Sequence, residues 1–328
     1  MRSLLRLALL AAVLVAALLV GIRVGAVRLP VAAILDAVRG LGDPATVAIV
    51  QRIRGPRTVL AALVGGSLAA SGAAFQALLR NPLAEPYILG VAGGAAVGAV
   101  SAVALGGFLA AAAPVSVAAF AGAIAAVLLV FRIASSAGRA LDTRILLLAG
   151  VVAGSFFNAV VLLFLTFADA DSFRSAIFWM MGSFAGATWR GDAVMAAGAA
   201  PALLVLFALA RPLNLLAVGE ETAAYLGTPV ERTKVLAYGV ASLLTAAAVA
   251  ASGVIGFVGL VVPHAVRMVW GSDHRFLLPA SVLLGATFLV LADALARTAV
   301  APTELPVGVV TAFVGVPFFV WLLRRRTA

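Results

Sequence analysis

"LLRNPLAEPYILGVAGG", residues 78–94, interrupts an apolar sequence with two prolines, an asparagine and one charge of each sign. Leu78 and Leu79 close one long hydrophobic run and Tyr87 opens the next, so the passage between them reads as a short connection. Pro82 and Pro86 lack backbone donors and restrict the residues before them, which stops both helices and stiffens the link. Asn81 is suited to bond its own backbone in a turn or left-handed conformation. Two apolar runs of about 20 residues joined by such a turn form a bilayer-crossing hairpin.

The rest of the chain fits that beginning. Its 328 residues are 64% hydrophobic and 11% charged, whereas soluble domains are nearer half apolar and a quarter charged, so a water-soluble fold is excluded. Uncharged runs and their breaks predict an all-α, polytopic integral membrane protein of about ten transmembrane helices. They cover roughly 5–27, 57–79, 86–105, 114–132, 144–167, 190–211, 234–251, 255–270, 276–296 and 306–323. Gly106, Gly107 and Pro114 mark the turn between the third and fourth, and Ser252-Gly253 the break between the seventh and eighth. No A-x-A-like cleavage site follows the first run, which reads as a spanning anchor.

With the N-terminus inside, fourteen of the 23 basic residues fall in cytoplasmic connections. The positive-inside rule therefore places both termini in the cytoplasm. One link resists the rule. After the first helix, six arginines from Arg23 to Arg57 lie on the outer side, which suggests that the loop has a task.

Composition also removes several functions. There is no cysteine, hence no disulfide or thiolate site, and His264 and His274 lie outside zinc-type spacing. The single lysine, Lys234, precedes Val235 with no glycine before it, so the chain has no P-loop and does not hydrolyse ATP by that route. Neither H-E-x-x-H nor a mid-span aspartate pair is present, which argues against an intramembrane enzyme. The net charge of +10 flanks apolar runs and points to lipid, not nucleic acid. Ion-coupled carriers need carboxylates at depth; only Asp293 keeps a secondary transporter open as the alternative.

Small residues four apart (Gly65, Ala69 and Ala73; Gly90, Gly94 and Gly98; Gly150 and Gly154) predict close helix contacts. Residues 213–232 predict a short amphipathic helix from Glu220 to Leu226, ended by Gly227 and Pro229. The uncharged stretch 175–189 is too short to span and reads as an interfacial or re-entrant helix.

Three stretches, "RGPRTVLAALVGGSLAASGAAFQALLRNPLAEPYILGVAGGAAVGA" (54–99), "SGVIGFVGLVVPHAVRMVWGSDHRFLLPAS" (252–281) and "ELPVGVVTAFVGVPFFVWLL" (304–323), resemble the permease subunits of binding-protein-dependent ABC importers. That family handles ferric siderophores, haem and cobalamin, and the similarity runs over nearly the whole chain in order and spacing. The resemblance implies a multi-pass protein of the bacterial cytoplasmic (inner) membrane. It also implies a homodimer with the path between protomers, two cytoplasmic ABC ATPase subunits using ATP and Mg, and a substrate-binding protein outside. No cofactor or metal is expected on this chain, because the cargo arrives already chelated. The resemblance makes Gly219, Glu220, Glu221, Ala223, Tyr225, Leu226 and Gly227 the ATPase-coupling residues. It makes Arg54, Arg57 and Arg297 the docking residues for the binding protein. Asn81 and Pro82 become the cytoplasmic gate, facing the 139–144 turn, and Ser155 and Asn158 line the path. The expected cargo is haem or a ferric siderophore, with cobalamin as the third choice.

Overall fold

The computed structural model describes residues 2–25, 27–104, 114–136 and 141–327. Among them, α1 (Arg2–Arg23) is followed by two short helices, α2 (Val31–Val38) and α3 (Pro44–Ala48). A π-helical turn, Ile49–Arg54, feeds α3 without a break into α4 (Gly55–Leu78). Then come α5 (Val91–Ala104), α6 (Val115–Ser136), α7 (Thr143–Phe167), α8 (Ala170–Met180), α9 (Trp189–Ala208), α10 (Ala210–Val218) and α11 (Glu220–Tyr225). The chain ends with α12 (Val230–Ser252), α13 (Val258–Trp270), α14 (His274–Ala296) and α15 (Val307–Thr327). Seven stretches are long and apolar enough to cross a membrane: α1, residues 44–78, α6, α7, α9, α12 and α14. Three shorter apolar helices, α5, α13 and residues 307–322 of α15, accompany them. Each apolar segment read from the sequence thus falls on a helix, and three of those helices are short.

The core is built around α4, which is buried along nearly all its length and packs on α14, α12, α13 and α9. Small side chains permit this crowding. Gly65 lies against the backbone carbonyl of Gly285, and Gly72 against that of Gly259, so a Cβ at either position would overlap the neighbouring main chain. Close approach maximises van der Waals contact where lipid offers no hydrophobic drive between helices. The expected stripe on α5 is only partly used. Gly94 and Gly98 meet α6, but Gly90 is a left-handed hinge (φ 79°) ending a 3-10 turn, Pro86–Leu89. Gly154 has no neighbour within 4 Å of a Cβ built there, so it does not mark a contact within the protomer.

Two irregular segments meet deep in the bundle. α12 stops at Ser252, Gly253 and Phe257 take positive φ (72° and 69°), and α13 begins at Val258. The Tyr87 hydroxyl donates to the Ile255 carbonyl (2.7 Å) and accepts from the Ile255 amide (3.0 Å). Glu85 accepts from the Phe257 amide. From α4, the Gln76 amide donates to the carbonyls of Ala84 (3.2 Å) and Gly259 (3.1 Å). Backbone groups freed from a helix among apolar neighbours cost several kcal/mol each if left unpaired; here Glu85 and Tyr87 from the first break serve the backbone of the second, and Gln76 of α4 serves Ala84 and Gly259.

Three expectations need correction. The third span does not begin as a helix at 86, because the 3-10 turn and its hinge delay α5 to Val91. The 175–189 stretch is not one helix. Asp169 caps α8 by accepting from the amides of Asp171 and Ser172, so the helix sits earlier, and Trp189 belongs to α9, its indole donating to the Gln51 carbonyl (2.7 Å). The Arg-rich link is largely helical rather than an open loop. Gly106 and Gly107, and residues 139–140 of the turn expected opposite Asn81, lie outside the described residues.

Overpacking a tight contact costs about 1–3 kcal/mol. Gly72→Ala is therefore expected to lower the melting temperature in detergent, and Gly154→Ala to leave it unchanged. Equal melting of the two variants would contradict this packing.

Candidate functional site

The expected coupling residues come together on one projection. α10 is fixed to the bundle by Asn214, whose side chain donates to Asp273 (2.7 Å) and accepts from the His274 amide (2.8 Å). Asp273 caps α14, and the Arg275 amide and then the Asn214 amide hold its carboxyl below the usual range. After Gly219, α11 runs from Glu220 to Tyr225 with two glutamates in its first turn, where the helix dipole favours them. Ala223 is fully buried beneath it. Gly227 (φ 80°) ends it in a Schellman arrangement, with Thr228 and Gly227 amides donating to the carbonyls of Ala223 and Ala224. Tyr225 and Leu226 are left 91% and 61% exposed. An apolar tip on a rigid base can seat in a groove and transmit displacement.

Beside α11 lies a cleft of about 630 Å³, lined by Arg80, residues 141–144, residues 218–222 and Lys234. The turn after α4 supplies Arg80, which takes the left-handed conformation (φ 47°). Asn81 bonds its own backbone in a turn, as expected, its side chain accepting from the Leu83 amide (2.9 Å). Asn81 and Pro82 are half-buried. Ser155 and Asn158 sit on an exposed face of α7, and Ser155 donates to its own helix at Val151. An apolar cavity of about 530 Å³ lies elsewhere, between the 252–258 break and α15, where Met180, Phe257 and Phe313 line it.

At the opposite end of the bundle lie Arg54, Arg57 and Arg297, expected as docking residues, and all three are buried. Arg54 donates to the carbonyls of Ile22, Arg23 and Val27. Arg57 grips Asp293 through two nitrogens and pairs with Glu304 at 2.8 Å. Arg297 pairs with the same Asp293 at 3.0 Å and donates to the carbonyls of Gly21 and Val24. A guanidinium has five donors in a fixed fork, so it can collect the unpaired carbonyls at the end of α1 while neutralising a buried carboxylate. In this structure these arginines tie α1, α4 and α14 together. Exposed cations at this end include Arg23, Arg28, Arg39 and Arg52.

Sequence reasoning missed Glu85 and Tyr87 as partners of the 252–258 backbone, and Gln76 as a partner of Gly259, because contacts 168 or more residues apart leave no local signal. It also missed the buried pairs of Lys234 with Glu220 and Glu231, both at 2.9 Å. The Glu231–Lys234 spacing, i to i+3, was a legible clue to the second.

The sequence matches the FecCD transport family over residues 13–325. It is 49% identical over 278 residues to a cobalamin import system permease of Halobacterium salinarum, covering 85% of this chain and 74% of that protein. A vitamin B12 import permease of Escherichia coli is 44% identical over 276 residues, covering 84% and 83%. An uncharacterized ABC transporter permease of Bacillus subtilis is 41% identical over 329 residues, covering 95% and 91%. Among solved structures, an inward-facing metal-chelate type ABC transporter superposes with a TM-score of 0.86 at 32% identity, covering 97% of this chain and 98% of that one. With α11 projecting from a bundle that has no P-loop, and with this likeness along its length, the chain belongs to the FecCD transport family as a permease subunit of the binding-protein-dependent ABC importer class.

Proposed function

We propose that the chain is the transmembrane half of an ATP-driven importer for cobalamin, working as a homodimer in the cytoplasmic membrane. Two of the similar relatives named above are cobalamin and vitamin B12 permeases. They move the reading away from haem or a ferric siderophore, for which no residue here speaks. In this arrangement both termini and α11 face the cytoplasm, each α11 meets one ATPase subunit, and the binding protein meets the opposite, arginine-rich end.

The observation that carries the proposal is the exposed Tyr225–Leu226 tip on the anchored α11. A chain that cannot bind nucleotide through a P-loop must receive its free energy through such a contact. Burial of a large apolar side chain at an interface contributes about 1.5–3 kcal/mol, so reversing the character of the tip should abolish a productive contact. The secondary-carrier alternative loses the carboxylate on which it rested. Asp293 is held between Arg57 and Arg297 and its charge is already balanced by protein.

Docking of the binding protein would use the exposed Arg39 and Arg52, since rim charges steer and orient a partner. The buried arginines behind them would keep the rim in shape.

In proteoliposomes containing the permease, its ATPase and its binding protein, labelled cobalamin uptake is expected to require ATP and to survive an ionophore. Uptake without the ATPase would overturn the proposal. Leu226→Arg should leave a folded dimer, by size-exclusion chromatography, whose ATPase is no longer stimulated by loaded binding protein; normal transport by this variant would remove α11 from the coupling role. Arg39→Glu combined with Arg52→Glu should weaken binding-protein association in a salt-dependent way. An unchanged Kd at low and high salt would move the docking surface elsewhere.

A further inference from the structure

The cleft beside α11 separates the coupling helix from the segment that enters α7, and one chain of polar contacts crosses that gap. Glu220 accepts from the Lys234 ammonium at 2.9 Å. The same ammonium donates to Glu231 Oε1 at 2.9 Å. The other oxygen, Glu231 Oε2, accepts from the Leu141 amide at 2.8 Å. The two oxygens of Glu231 thus have separate partners, one on α12 and one at Leu141.

We propose that Lys234 and Glu231 are positioning residues that convert displacement of α11 into displacement of the segment entering α7. The inference rests on the reading of α11 as the ATPase contact and names the part through which that contact acts.

The chemistry favours a relay over mere neutralisation. The Lys234 side chain is 2% exposed while Glu220 and Glu231 are 32% and 47% exposed, so the cation is fixed and its partners sit at the edge of the cleft. A buried cation left without its carboxylate is strongly destabilised. If α11 carries Glu220 away, Lys234 must follow it or draw α12 with it. Ammonium has three donors and no acceptor, so one Lys234 can hold both glutamates at once.

The receiving end is equally firm. Leu141 is buried, and Asp142 next to it caps α7 by accepting from the Arg144 amide (2.7 Å). A pull on the Leu141 amide is therefore delivered to the first turn of α7, the helix whose exposed face carries Ser155 and Asn158. Arg80, from the turn between α4 and α5, lines the same cleft, so both turns expected at the gate border the space in which α11 can move.

The test uses the full complex in proteoliposomes. Lys234→Met and Glu231→Gln should each lower cobalamin taken up per ATP hydrolysed roughly tenfold, within the usual range of coupling between sites. Lys234→Arg keeps the charge and the donors and should retain most of the wild-type ratio. Spin labels at Arg144 and Thr222, both exposed, read the relay directly. Their separation should stay constant on ATP binding in the wild type and change in Lys234→Met. An unchanged uptake ratio in both variants, or an ATP-insensitive separation in Lys234→Met, overturns the inference. If Lys234→Met fails to assemble with the ATPase, the near-isosteric Glu231→Gln decides by the same two measurements. ATP-independent uptake by the wild type would instead overturn the proposed function, so the two failures are distinguishable.

Discussion

Apolar surroundings supply no hydrogen bonds, and that constraint organises this molecule more than any single contact. A straight helix satisfies it alone; a broken one must borrow partners. Two of the breaks among the described residues, at 80–90 and 252–258, lie face to face. Tyr87 serves both backbone groups of Ile255, Glu85 serves Phe257, and Gln76 reaches across from α4 to Ala84 and Gly259. The closeness of α4 and α13 that this requires exists only because Gly72 and Gly259 leave their backbones bare.

The same constraint explains the arginine end. Arg57, Arg297 and Asp293 form a buried group in which one carboxylate answers two guanidinium ions, with Glu304 adding a second acid to Arg57. Buried pairs of this kind contribute little net stability compared with apolar packing, but losing one member is costly. Their value here is geometric. They pin the end of α1, the start of α4 and the end of α14 at one point, and the link that holds α2 and α3, with Arg28, Arg39 and Arg52 outside those two helices, is presented from that base.

At the other end, rigidity and exposure are combined. α11 is short, closed at its C-terminal end by Gly227 and seated on Ala223, yet its tip is bare. A short isolated helix is unstable in water, so this one owes its order to α10, α12 and the Glu220–Lys234 pair. A stiff projection joined to the bundle at few points suits the transfer of motion between subunits. That arrangement links the fold to the import reaction of the family.

Local chemistry made much of this legible. Apolar run length located the helices, the two prolines located the turn after α4, Gly227 ended α11, and Ser252-Gly253 marked a break, because each effect acts within a few residues of its cause. The long composite patterns at 54–99, 252–281 and 304–323 carried the family in the same way. What the sequence could not decide was the occupation of each polar group. Arg57 beside Asp293 is a contact across 236 residues, and whether an arginine near a span end is a free charge or a buried clasp depends on which carbonyls and carboxylates the packed helices bring to it. The Asx turn at Asn81 was legible, but that Arg80 beside it takes the left-handed conformation was not. Sequence determined where helices start and stop; tertiary packing alone decided which side chains are spent on holding them and which remain free, because that choice is made by partners distant along the chain.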